Sequence, residues 1–334
     1  MKFLVRAPNW IGDAVLARPA LESLRRNFPQ AEIWLLAKDW VREFYEADGL
    51  LAGVLPLAEN RSPRALFRAA GLLKSRGFDT GLLLANSFAS ALLFYLARIP
   101  QRWGYRRDAR GPLLTRGVPV PELEPPKHQV HYYLDLMRGL GLSVVDPQIR
   151  LSLSEKEKGA ARRSLQALGL NLKRPLVILN PGAAYGPAKR WPAERFAALG
   201  ALLQRQKKAE IIITGSSGEE ELAASIASRL PRHPANLAGR TSLRQLLGLI
   251  SQSRLFITND TGPMHLANAL SVPVVALFGP TNPAVTGPFH PPAVVLKKEA
   301  ACWPCLYRKC PYDHRCLAGI EAEEVLAAAR QFLP

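Results

Sequence analysis

Apolar residues in this chain fall in short runs, each closed by a polar or glycine-bearing turn and followed by a longer mixed stretch. Short runs rich in Val, Ile and Leu between turn residues read as buried strands, and the longer stretches with helical periodicity read as helices. In the first half the pattern predicts strands at Lys2–Arg6, Ile33–Leu36, Val54–Leu57 and Thr80–Leu84. Helices are predicted at Ala14–Asn27, Trp40–Ala47, Pro63–Ser75, Ser87–Ala97 and Val130–Leu140. The stretch Val144–Ser154, with Pro147, reads as a linker, and a polar helix follows over Glu155–Leu168. Further strands open at Leu176, Ile211, Leu255 and Val274, and a final helix is expected within Glu321–Leu333. Alternating strands and helices imply an α/β chain with mostly parallel, doubly wound sheets. The uncharged stretch Thr80–Ala97 approaches bilayer-spanning length, but Asn86, Ser87 and Ser90 divide it into a buried strand and a helix.

Open parallel sheets bind their ligands beyond the carboxyl ends of the strands. The turns that follow strands are therefore where chemistry is sought. After Leu255–Thr258 comes Asn259-Asp-Thr-Gly-Pro-Met-His265. Pro263 suits a first helical turn, where no amide hydrogen is needed. The free amides near Gly262 and the Thr261 hydroxyl suit phosphate oxygens. Asp260 would repel phosphate and suits sugar hydroxyls instead, while His265 follows within the helix. These residue types would equally well cap a helix. A second turn, Pro181-Gly-Ala-Ala-Tyr-Gly-Pro-Ala-Lys-Arg-Trp-Pro192, weakens that plainer reading. Gly182 and Gly186 allow close backbone approach, and Lys189 and Arg190 bring positive charge to a strand end. A third turn ends at Glu219, a candidate acceptor for ribose hydroxyls. The chain contains neither a Gly-x-Gly-x-x-Gly nor a Walker lysine motif, so a nucleotide diphosphate would be held without that machinery. In the first half, Ala7-Pro-Asn-Trp-Ile-Gly-Asp13 follows the first strand. Asp13 either complements the helix dipole or serves as a base facing an acceptor hydroxyl. His128 and His131 share a helix face and read as partly buried packing residues.

With 334 residues the chain can build two domains with substantial cores, 1–150 and 151–318, before a short final segment, 319–334. Forty-four basic residues against 27 acidic ones leave a formal charge of +17, which favours phosphorylated substrates, an anionic bilayer face or nucleic acid. The basic excess is scattered and carries no recognisable reader motif, so nucleic acid is not expected as a partner. Gln101–Arg110 reads as a basic loop interleaved with aromatics, in which Arg102, Arg106 and Arg107 would grip an anionic acceptor or lipid headgroups. The start, Met1–Arg6, is too short for a signal-peptide core and points to the cytoplasm.

Four stretches together carry a resemblance: Pro8–Asp13, Asn86–Ala91, Asn180–Trp191 and Asn259–His265. They resemble glycosyltransferase family 9, and the likeness extends over nearly the whole chain. The resemblance implies the GT-B architecture, two Rossmann-like domains facing across a cleft, with the last helix returning toward the N-terminal domain. It implies inverting transfer of L-glycero-D-manno-heptose from ADP-heptose to a lipid A–Kdo–heptose glycolipid, the second heptose addition. Asp13 matches the family's base, and Lys189 its phosphate-binding lysine. Gly182, Arg190, Glu219, Asp260, Thr261, Gly262 and His265 would complete the donor site; Asn9, Trp10, Asn86 and Ser87 would face the acceptor. No metal need bridge the diphosphate if Lys189 and the helix terminus neutralise it. A phosphorylated glycolipid acceptor would draw the enzyme to the inner face of the cytoplasmic membrane as a peripheral protein. Heptosyltransferase I or III activity, a GT-B nucleotide-sugar epimerase and a catalytically idle membrane scaffold are the alternatives.

Cys302, Cys305, Cys310 and Cys316 sit in one short stretch. The first pair has the spacing of a zinc knuckle and the second does not, so structural zinc, free thiols and disulfides all remain open.

Overall fold

Six apolar runs in the first part of the chain line up as one parallel sheet: β1 (Lys2–Arg6), β2 (Glu32–Ala37), β3 (Gly53–Pro56), β4 (Thr80–Leu83), β5 (Gln101–Tyr105) and β6 (Arg116–Val118), in the order β3-β2-β1-β4-β5-β6. In this computed structural model the described residues are 1–46, 49–57, 62–121 and 126–334. They divide into two units, Met1–Ile149 and Arg150–Pro334. Phe3, Leu4 and Val5 of the central β1 are fully buried, as expected for a parallel strand covered by helices on both faces. Those helices are α1 (Ile11–Leu16), α2 (Arg18–Asn27), α3 (Asp39–Tyr45), α4 (Pro63–Lys74), α5 (Phe88–Leu96) and α6 (Gln129–Gly139). Ser62 and Ser87 cap α4 and α5 with their hydroxyls. The uncharged stretch at residues 80–97 thus divides into β4 and α5 as its polar residues predict. No helix among the described residues is long and apolar enough to cross a membrane. The predicted end of α3 at Ala47 lies outside the described residues.

Two sequence readings are corrected here. The single helix expected over Ala14–Asn27 is broken at Ala17, because Pro19 in the first turn of α2 has no amide hydrogen and restricts the residue before it. The basic stretch Gln101–Arg110, expected as a loop, is strand β5 up to Tyr105, parallel to both β4 and β6. Trp103 and Tyr105 point inward from it and are buried. Polar Gln101 and Arg102 and the intervening Gly104 hide this interior strand from an apolar-run criterion.

The second unit repeats the plan with β7 (Leu176–Asn180), β8 (Glu210–Ile213), β9 (Ala235–Asn236), β10 (Leu255–Asn259), β11 (Val274–Phe278) and β12 (Ala293–Lys297), ordered β12-β11-β10-β7-β8-β9. Its helices are α7 (Glu155–Ala167), α8 (Ala193–Gln206), α9 (Glu220–Ala227), α10 (Leu243–Gln252), α11 (Gly262–Ala269), α12 (Pro283–Thr286), α13 (Arg315–Ala318) and α14 (Ala322–Arg330). Ser154 and Glu157 close α7 with a reciprocal capping box. The final helix α14 buries Val325, Leu326 and Ala329 in the same core as Phe196 and Leu199 of α8. Trp191 Nε1 donates to Ile320 O at 3.0 Å just before it, and Arg195 pairs with Glu321. These partners all belong to the second unit.

Counted within each unit, both sheets have the strand order 3-2-1-4-5-6 of a Rossmann fold. The chain reverses its direction of travel between β1 and β4, and again between β7 and β10. The strand ends at those reversals form crevices where open sheets take ligands.

Candidate active site

The loops after β7 and β10 are stitched together from below by buried polar side chains. Asn180 Nδ2 donates to Thr258 Oγ1 at 3.2 Å, and Thr214 Oγ1 donates to Asn180 Oδ1 at 3.1 Å. Asn259, fully buried, donates to Pro181 O at 2.6 Å and accepts from the Trp191 amide at 3.0 Å. Such a network is stable only when its members are satisfied, and it fixes the strand-end loops relative to one another. On this base Lys189 Nζ meets Asp260 Oδ2 at 2.5 Å, with side-chain exposures of 11% and 5%. The Tyr185 ring lies 4.7 Å from the ammonium, a cation–π contact. Thr261 occupies the N-cap of α11 without a side-chain capping bond, so its hydroxyl is not used as a plain cap. Met264 and His265 are buried in the turn that follows. The structure therefore brings Lys189, Asp260, Thr261 and Gly262 to one strand-end crevice, with an ammonium and a helix start side by side. That combination stabilises phosphate oxygens.

Glu219 reaches the same loops from the end of β8. Its Oε2 accepts from the Ser216 amide at 2.8 Å in a capping box, and its Oε1 lies 3.9 Å from the Arg190 guanidinium. A Cβ added to Gly182 would come within 2.1 Å of the Glu219 carboxyl carbon and Oε1, so Gly182 is there to admit Glu219 as much as a ligand. Arg190 Nε is buried without a hydrogen-bond partner among the described residues, leaving a donor at this edge.

The first unit's crevice is built differently. Asp13, half-buried in the first turn of α1, accepts from the Tyr133 hydroxyl at 3.3 Å. Burial, with the Asp13 charge second, pushes the Tyr133 phenol well above its ordinary pKa, so it remains a donor. Asn9 Oδ1 accepts from Arg6 at 2.5 Å and its carbonyl accepts from Trp40 Nε1 at 2.8 Å, while Trp10 is 51% exposed. Across the reversal, Asn86 donates to the Tyr132 hydroxyl at 2.6 Å and accepts from Arg110 at 2.9 Å, and Ser87 caps α5.

Two arginines that sequence reasoning passed over organise this crevice. Arg110 is fully buried and donates to Tyr105 O at 2.8 Å and to Ala85 O. Arg6 is 2% exposed and donates to Ala7 O, and burial lowers its pKa to about 10. Nothing in the local sequence separates either from a solvated arginine. The expected acceptor arginines part company: Arg106 and Arg107 are exposed, whereas Arg102 donates to Ile99 O at 2.5 Å and Leu113 O at 2.6 Å and so holds a loop in place.

Comparison with known proteins decides the class of chemistry. The pattern described as glycosyltransferase family 9 (heptosyltransferase) matches residues 66–315. The chain belongs to glycosyltransferase family 9. It is 33% identical to lipopolysaccharide heptosyltransferase 2 of Salmonella typhimurium over 89% of this chain and 88% of that one. The solved structure of the E. coli ADP-heptose LPS heptosyltransferase II is similar at a TM-score of 0.85 and 30% identity, covering 99% of this chain and 98% of that one. A family 9 glycosyltransferase from Veillonella parvula shares the fold at a TM-score of 0.87 and 24% identity, covering 99% and 96%. The architecture of this family 9 enzyme is GT-B, built on two Rossmann-like units.

The cysteines of this glycosyltransferase lie behind the Lys189 loop. Tyr185 donates to Leu306 O at 2.7 Å and the Ala188 amide to Arg308 O at 3.1 Å. Gly186, at φ +152°, has no room for a Cβ because Arg308 O would lie 2.3 Å from it. Cys302, Cys305, Cys310 and Cys316 are free thiols that border a cavity of about 20 Å³. Among the described residues no group of three or more His, Cys, Asp or Glu side chains is placed to hold a metal ion. Structural zinc, one of the three states the cysteine spacing leaves open, is therefore unsupported, and the segment is tied to the Lys189 loop through its backbone.

Proposed function

We propose that this glycosyltransferase adds the second heptose of the lipopolysaccharide inner core, transferring L-glycero-D-manno-heptose from ADP-heptose to a lipid A–Kdo–heptose glycolipid with inversion. The observation that carries the reading is the nearly buried ammonium of Lys189, held by Asp260 beside the start of α11. A departing ADP develops charge on its diphosphate, and a preorganised ammonium with helix-terminal amides stabilises it most where water is excluded. In this reading Lys189, Arg190, Thr261 and Gly262 bind the diphosphate, Glu219 the ribose, and Asp260 and His265 orient the sugar. Asp13 takes the acceptor hydroxyl's proton, with Tyr133 fixing its carboxylate. Asn9, Trp10, Asn86 and Ser87 face the acceptor sugar. Lys189 supplies the positive charge that a divalent cation brings to other diphosphates, so transfer should proceed in excess EDTA.

Exposed Arg106 and Arg107, with the formal charge of +17, favour an anionic inner-membrane surface as a peripheral docking partner on the cytoplasmic side. Vesicle binding that weakens as salt rises is expected; salt-insensitive binding would remove this part. The deciding assay offers ADP-heptose with lipid A cores carrying zero, one or two heptoses. Turnover only on the core with one heptose is expected, and turnover on the heptose-free core would reassign the step.

A further inference from the structure

Asp260 Oδ2 receives two donors, not one. Lys189 Nζ and Thr281 Oγ1 both lie 2.5 Å from it. Thr281 comes from the turn after β11 and is 7% exposed, so its hydroxyl reaches the carboxylate from a neighbouring strand end inside the protein. The turn is itself braced. Trp303 Nε1 donates to Thr281 O at 3.2 Å, and the Leu306 amide donates to Pro280 O at 3.0 Å.

A buried carboxylate attracts a neighbouring ammonium strongly, and an ammonium so held is less available to a third charged group. Lys189 has three N–H donors, and binding a diphosphate requires it to turn part of its charge away from Asp260. That turn is costly if the carboxylate is left without a compensating donor in a dry site. We propose that Thr281 is a positioning residue for the donor site: its hydroxyl anchors the Asp260 carboxylate so that Lys189 can be shared with the donor diphosphate. The proposal rests on the reading of Lys189 as the diphosphate-binding group. Removing the hydroxyl leaves Asp260 to compete for the whole ammonium and frees it to rotate, and either change lowers donor affinity.

The test is a cycle of Thr281→Val, Lys189→Met and the double variant, with Thr281→Ala as a second truncation and Thr281→Ser as the conservative control. ADP affinity is measured by calorimetry on folded protein, with kcat and donor KM alongside. A hydrogen bond to a charged group is worth enough to predict about a tenfold weaker ADP affinity and a matching rise in donor KM for Thr281→Val and Thr281→Ala. Thr281→Ser should recover affinity to within about twofold, since it restores the same donor. In the Lys189→Met background Thr281→Val should add no further loss, because the residue acts through the ammonium. A lower melting temperature with unchanged ADP affinity and KM would reduce Thr281 to a packing residue and overturn the proposal. So would a serine variant as impaired as valine, or losses that multiply in the double variant. If Lys189→Met alone keeps full ADP affinity, the diphosphate reading fails first; if it loses affinity and the Thr281 variants do not, only the role of Thr281 fails.

Discussion

The two strand-order reversals of this glycosyltransferase share one topology and hold opposite chemistry. In the first unit Arg6, Arg102 and Arg110 each donate to main-chain carbonyls, and the charged group in the first turn of α1 is the Asp13 carboxylate. In the second unit the carboxylates are the engaged groups. Glu219 caps a turn and Asp260 holds Lys189 and Thr281, so the loop after β7 presents an ammonium. The same scaffold thus places a carboxylate at one reversal and an ammonium at the other, the groups that the proposed mechanism uses as proton acceptor and phosphate-binding cation. Fold alone could not say this; the side chains at the strand ends do.

The largest effect should come from Asp13. Asp13→Asn removes the proposed general base and is expected to lower kcat about 10³-fold, with ADP affinity unchanged within about twofold. Calorimetry with ADP on the folded variant checks the second half, and a loss of ADP affinity there would erase the distinction between the two units. Lys189→Met should give the opposite profile, with kcat/KM down about 10²-fold and ADP binding weakened in parallel. Equal ADP affinities in the two variants would break the comparison outright.

The buried cations of the first unit set the next scale. Arg110→Met strands the carbonyls of Ala85 and Tyr105 and the Asn86 side chain, and should cost about 3 kcal/mol in urea unfolding of the full chain. On the other side, Gly182→Ala drives a methyl into the Glu219 carboxylate and should cost about 2 kcal/mol while raising donor KM. Combining it with Glu219→Ala should recover part of the stability and none of the KM, which would separate the packing role of Gly182 from donor binding.

Much of this contrast was legible in the chain, and the illegible part has a physical reason. Central strands such as Leu176–Asn180 and Leu255–Asn259 are apolar because both faces are covered, so their positions and the turns after them could be read directly. Strand β5 is also interior to its sheet, but its polar start at Gln101 and Arg102 and the glycine between Trp103 and Tyr105 leave no apolar run to read, so it looked like a basic loop. Lys189 and Asp260 each stood out at a strand end, but their pairing, and the arrival of Thr281 from the next strand, depend on contacts between residues far apart in sequence. Arg6 and Arg110 were invisible because a buried guanidinium that donates to carbonyls has the same local sequence as a solvated one. The cysteine spacing left zinc, free thiols and disulfides open, and the contacts the segment makes with the Lys189 loop run through its backbone, at the carbonyls of Leu306 and Arg308.

The smallest expected effect concerns Tyr133, which links Asp13 to α6. Its phenol has a folded-state pKa raised well above the ordinary value of 10.0, first by burial and next by the Asp13 charge. A raised folded pKa means that the folded state keeps the proton where the unfolded state releases it. The stabilisation from the neutral phenol is therefore complete below pH 10 and is lost progressively as pH rises above it, since the unfolded chain ionises there first. Tyr133→Phe cannot ionise in either state. It should be less stable than the parent at neutral pH by about 1 kcal/mol for the lost hydrogen bond to Asp13, and the gap should narrow between about pH 10 and pH 11. Denaturant titrations across that range test the sign: a gap that widens with pH would mean that the hydroxyl is not held as a neutral donor to the carboxylate, and the proposed base Asp13 would lose the contact that orients it.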